Sequence, residues 1–160
     1  MPCNRNTSER IGSDNPKLVL YLPHKPQAYA QLQKDADAGV LLEQNSNHWR
    51  KIVTLLAKIA SPVETDWRHF RDTALFAETA ICFTPELIGG TSWHWIGGKD
   101  NLHRFEHLVH RARPFADCDT VLIDPETCLL ITPYPDYRQL TNAMVGAIRS
   151  ELSRLSFYRT

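Results

Sequence analysis

The chain has 160 residues, 42% hydrophobic and 22% charged, and its 18 Lys and Arg are matched by 18 Asp and Glu. That length suits one domain able to bury a core without staples. Zero net charge leaves no long-range field toward nucleic acid, membrane or a charged partner, which excludes avid non-specific DNA binding but not a local basic patch.

The first sixteen residues are polar, lack the apolar core of a signal peptide, and are expected to form a poorly ordered tail. Residues 17–160 are then expected to form a single α/β domain. Cys3, Cys82, Cys118 and Cys128 are scattered without a CxxC pair, so no zinc knuckle and no other metal site is expected. Cys82 and Cys128 lie in apolar runs, as buried free thiols do, and this points to a reduced, cytoplasmic setting. The longest apolar run, Leu18 to Leu22, is too short to cross a bilayer, and no membrane association is expected.

Lys17–Pro23 is a continuous apolar run ending at proline and predicts a buried strand. Pro26 can open a helix through PQAYAQLQKDA, which Gly39 would end. VLLE then reads as a short strand or as the lead into the next helix. That helix begins near Asn45, Ser46 and Asn47 and carries Trp49, Ile52, Val53, Leu56 and Ile59 on one stripe. Ser61 and Glu64 have capping-box spacing, with Pro62 at the first helical position of a segment that turns Trp67, Phe70 and Ala74 inward.

From residue 79 the period changes. Thr79–Phe83 and Ser92–Gly97 read as strands, and Asp100 is expected to cap a helix running to about Arg113. Thr120–Asp124 and Cys128–Thr132, separated by Pro125, Glu126 and Thr127, read as a hairpin. Asp136 and Gln139 suggest a cap for a last amphipathic helix with Leu140, Met144, Ile148, Leu152 and Leu155 inside. Uniformly apolar strands alternating with helices predict an α/β fold: a central, at least partly parallel sheet of four to five strands, flanked by helices.

Open α/β sheets take ligands at the carboxyl ends of their strands, and three polar segments fall there. In LPHKP, His24 follows the first strand. In IGGK, Lys99 follows two glycines that could admit a ligand to the backbone; a turn needing positive φ would leave the same sequence. In TPYPDYRQ, two prolines hold Tyr134, with Asp136 and Arg138 beyond; a proline-bounded turn with Asp136 as cap is the alternative. His24, Lys99, Tyr134, Asp136 and Arg138 are therefore the candidate ligand-binding residues.

Trp93 and Trp95 alternate with His94, which is expected to face the other side of the sheet as a hydrogen-bonded core histidine. His48 is read as a packing residue at a helix start. His103, His107 and His110 share one face of the expected helix, opposite Leu102, Phe105, Leu108 and Val109, and should form a solvent-exposed stripe. No catalytic signature, Walker loop or dinucleotide fingerprint occurs, and no cofactor is implied.

The order of LPHKP, IGGK and TPYPDYRQ resembles the uracil-DNA glycosylase superfamily. The likeness implies base excision from DNA, with LPHKP at the water-positioning loop and TPYPDYRQ at the HPSP-like loop. Two departures stand out: LPHKP has no Asp or Asn, and Tyr134 replaces the family histidine, so His24 and Tyr134 would have to substitute. The chain also resembles small bacterial proteins of unknown function. Two functions follow as expectations: a domain binding a small, polyanionic or nucleotide-like ligand at the strand-end loops, or a glycosylase-like hydrolase.

Overall fold

The computed structural model describes residues 9–115 and 118–158. The strands β1 (Arg10–Gly12) and β2 (Leu18–Tyr21) lead into the helices α1 (Tyr29–Lys34), α2 (Ala38–Gln44) and α3 (Asn47–Ala60). After a 3-10 turn at Glu64–Asp66 come α4 (Trp67–Thr73) and the single turn α5 (Leu75–Glu78). The chain continues through β3 (Thr79–Cys82), β4 (Trp93–Gly97), α6 (Lys99–His103), β5 (Arg113–Phe115), β6 (Cys118–Asp124) and β7 (Leu129–Thr132) to α7 (Asn142–Arg154).

These strands form one sheet in the order β1-β3-β2-β4-β7-β6-β5. The inner four, β3, β2, β4 and β7, run parallel, while β1, β6 and β5 pair antiparallel to their neighbours. Among the described residues, the count of four to five strands is therefore corrected to seven. The extra two are the edge strands β1 and β5, three residues each, too short to carry a readable alternation. Of the expected tail, residues 1–8 lie outside the described residues, and Arg10–Gly12 form β1 against β3.

The inner strands are buried throughout and mostly apolar because both faces are covered. Leu18, Leu20, Leu22, Ile81, Trp93, Trp95 and Leu130 face the larger core beneath α2, α3, α4 and α7. Val19, Tyr21, Cys82, Ile96, Leu129 and Ile131 face a smaller one, closed by Phe105 and by Leu87, Ile88, Leu102 and Leu108. Helices thus cover mainly one face; the other is closed by α6 and irregular chain.

α3 carries the expected stripe and is the central helix: between Trp49 and Ala60 only Arg50, Lys51 and Lys58 escape burial. The first helix starts at Tyr29 instead of Pro26, and Gly39 sits inside α2. Asp37 caps α2 through the N–H groups of Gly39 and Val40. The capping box at Ser61 does not form, since its hydroxyl donates to the Val63 carbonyl at 2.7 Å. Thr141, not Asp136, caps α7 by accepting from the Met144 N–H.

The largest departure is α6, which stops after five residues. Beyond it the chain advances by successive three-residue turns: the N–H of Phe105 donates to Leu102 O and that of Leu108 to Phe105 O. The spacing of Leu102, Phe105 and Leu108 satisfies such turns as well as a helix, and all three pack on the sheet. Val109 is left 89% exposed instead of buried. The expected histidine stripe does not form. His103 and His107 are exposed, and the His110 Nδ1 accepts from the Ala112 N–H.

Candidate functional site

Parallel pairing of β2, β4 and β7 brings LPHKP, IGGK and TPYPDYRQ to one rim of the sheet. Side chains lock that rim. The Trp95 indole donates to the Thr132 hydroxyl at 2.8 Å, and that hydroxyl donates to Pro133 O, fixing the start of the last loop. The Asn101 amide donates to Tyr21 O and Gly97 O, bracing the ends of β2 and β4. Arg104 in turn donates to the Asn101 side chain and to Phe83 O, beyond β3.

The two glycines of IGGK are explained by the loop that lies on them. A Cβ on Gly97 would fall 2.8 Å from Pro135 Cδ, and one on Gly98 would fall 3.2 Å from the Tyr134 ring. Gly98 also has φ +103°, a region only glycine adopts freely. Their role here is to admit Tyr134 and Pro135. Lys99, at the start of α6, is exposed.

Tyr134 is the centre of the site. Its hydroxyl lies 2.8 Å from His48 Nε2 and 3.2 Å from His24 Nε2. Its ring stacks on both imidazoles, at centroid separations of 5.3 and 6.2 Å, and Trp49 closes the far edge of His24 at 5.5 Å. Burial pushes the phenol up to about 12, helped by the Asp136 carboxylate, so the hydroxyl keeps its proton. Burial, with the neighbouring His48, lowers His24, which favours its neutral form. A phenol has one proton, so it donates to one imidazole and accepts from the other. The result is a His24–Tyr134–His48 chain of hydrogen bonds centred on a protonated phenol.

Asp136 holds its own loop. It accepts from the Arg138 N–H at 2.9 Å and from Lys51 Nζ at 3.3 Å, and these partners keep its carboxyl below its ordinary range. The Arg138 side chain is exposed. Of the five candidates, then, His24 and Tyr134 meet directly, Asp136 stands beside them on Lys51, and Lys99 and Arg138 flank the rim without touching the cluster.

Sequence reasoning missed His48 and Lys51. They sit at i and i+3 near the start of α3, and the polar run Asn45–Arg50 was the available signal, absorbed by helix capping. His94 meets its expectation: its Nδ1 lies 2.8 Å from the Tyr21 hydroxyl, which accepts from the Ile88 N–H. Among the described residues no group of three or more His, Cys, Asp and Glu is placed to hold a metal ion, and no helix is long and apolar enough to cross a membrane.

The fold and this cluster define a mixed α/β domain with a polar triad at the carboxyl ends of its central parallel strands. Over residues 9–153 the chain matches the family of unknown function DUF6942, and it belongs to that family. No curated protein and no solved structure matches it, so nothing in these comparisons ties it to the uracil-DNA glycosylases.

Proposed function

We propose that the rim formed by the ends of β2, β4 and β7 binds a small anionic or nucleotide-like ligand. His24, His48 and Tyr134 supply the directional polar contacts, and Lys99 and Arg138 supply flanking positive charge. One observation carries the reading: the Tyr134 hydroxyl is shared by two imidazoles that come from separate segments, at the edge where open α/β sheets take ligands. His24 and Tyr134 are both perturbed by burial, and perturbed groups gathered at such an edge mark functional sites. The neutral state of His24 and Tyr134 suits hydrogen bonding to a polar ligand head, and the outlying cations suit its charge.

A panel of nucleotides and small organic anions, titrated by calorimetry, tests this. Tyr134→Phe should weaken the best ligand about tenfold, the effect of one lost hydrogen bond in a partly enclosed site. Lys99→Ala and Arg138→Ala should each weaken it about two- to fivefold, as exposed charges do. Binding unchanged in all three variants removes the site. The same preparation incubated with uracil-containing DNA and assayed for abasic sites covers the hydrolytic alternative, which background-level signal rejects.

A further inference from the structure

α3 shows three side chains to solvent after Trp49, and the last of them, Lys58, points into a cleft of its own. A cavity of about 430 Å³ between α3, α4 and α7 is lined by Lys58, Glu64, Trp67, Arg68, Asn142 and Arg149. A second, of about 420 Å³, shares Lys58 and Asn142 and adds Tyr137.

Lys58 is half-buried, and among the described residues it enters no ion pair. Its ammonium donates to Asn142 Oδ1 at 3.3 Å and otherwise faces rings, 5.2 Å from the centroid of Trp67 and 6.0 Å from that of Tyr137. Arg68 lies over the same Trp67 ring at 4.5 Å. Ring faces compensate a cation only partly. Arg149 is occupied, since one of its nitrogens donates to Lys58 O, Ile59 O and Ser61 O at the end of α3. Against these three cations the first cavity holds one carboxylate, Glu64. A partly enclosed hollow with surplus positive charge attracts anions.

Tyr137 adds a second feature. Its ring is 44% exposed, and it stands beside both Lys51, at 5.9 Å, and Lys58. A half-exposed aromatic ring next to an ammonium that has no carboxylate partner among the described residues suits a ligand that joins a flat ring to a phosphate. We propose that this cleft is a second ligand site, adjoining the strand-end rim at Tyr137 but centred on Lys58, that takes a nucleoside monophosphate. The phosphate meets Lys58 and Arg68, and the base lies against Tyr137.

Calorimetric titration of the full chain with a nucleoside monophosphate is expected to saturate, at least about tenfold tighter than inorganic phosphate. Lys58→Gln, which can keep a hydrogen bond to Asn142, should weaken binding about tenfold. Arg68→Gln changes an exposed side chain, leaves folding intact, and should weaken it about threefold. Tyr134→Phe, which the rim reading requires to weaken binding at the rim, should leave the phase of the isotherm that Lys58→Gln weakens within about twofold, so the two sites fail separately. The proposal is overturned by no saturation below about 10 mM, by equal affinity for inorganic phosphate, or by unchanged affinity in both charge variants. A short single-stranded oligonucleotide binding more than about tenfold tighter than the monophosphate also overturns it, in favour of a nucleic-acid surface.

Discussion

His24 and His94 depart from free imidazole in the same direction and for the same main reason. Burial disfavours the imidazolium in each, and His94 is lowered to about 4. As pH falls, the unfolded chain therefore takes up protons before the folded one does. The stability these rings contribute is complete above their ordinary pKa of 6.5 and is lost on acidification, for His94 down to about pH 4. Urea unfolding at intervals across that window should show a falling free energy, and His94→Gln should flatten the slope. An unaltered slope would contradict the assignment. His94 was legible because Trp93 and Trp95 alternate with it on a strand, which fixes its direction. His48 was not, because its partner Tyr134 lies 86 positions downstream and nothing local marks their meeting.

At the level of elements, the end of α3 is held by two side chains, Arg149 and Tyr158. The last carbonyls of a helix have no partner inside it. Here Arg149 donates to three carbonyls there, stacks on Tyr158 at 4.3 Å, and the Tyr158 hydroxyl donates to Ile59 O. Arg149→Met removes its own donors to all three carbonyls while preserving bulk, leaves only the Tyr158 hydroxyl on Ile59 O, and should cost about 2–4 kcal/mol of stability by urea unfolding. A change below about 0.5 kcal/mol would mean that solvent satisfies the same groups. The long stripe of α3 and the hairpin around Pro125–Thr127 were readable because period and turn chemistry agree over many residues. The segment after α6 was misread because an apolar residue at every third position fits both a helical face and a series of tight turns, and only the packing against the sheet decides between them.

For the molecule as a whole, the parallel centre was legible and the margins were not. Mostly apolar β2, β3, β4 and β7 announced strands covered on two sides, whereas β1 at one edge is marked by little more than Ile11, 1% exposed. Gly12 shows how tightly β1 is joined to the sheet. Its φ is +113°, and a Cβ there would fall 2.5 Å from the Thr79 carbonyl oxygen and 2.8 Å from the Ala80 Cα. Gly12→Ala should therefore destabilise the domain by about 2–4 kcal/mol, read from the denaturation midpoint. A neutral outcome would return this stretch to the status of a dispensable tail. The convergence of the three strand-end loops was deducible from parallel pairing alone; which side chains touch once there depended on Pro133 and Pro135 aiming Tyr134 back over Gly98.

The single proton of Tyr134 has a consequence for selectivity. When the phenol hands it toward His24, His24 Nε2 accepts and the phenol oxygen is left to accept from His48 Nε2. Turning the hydroxyl the other way makes His48 Nε2 the acceptor and His24 Nε2 the donor. Under the rim reading proposed above, the triad can meet its ligand in either of these two hydrogen-bond orientations. A guest bearing both kinds of group, such as an amide edge, can dock either way round, so discrimination among such guests falls to their shape and charge.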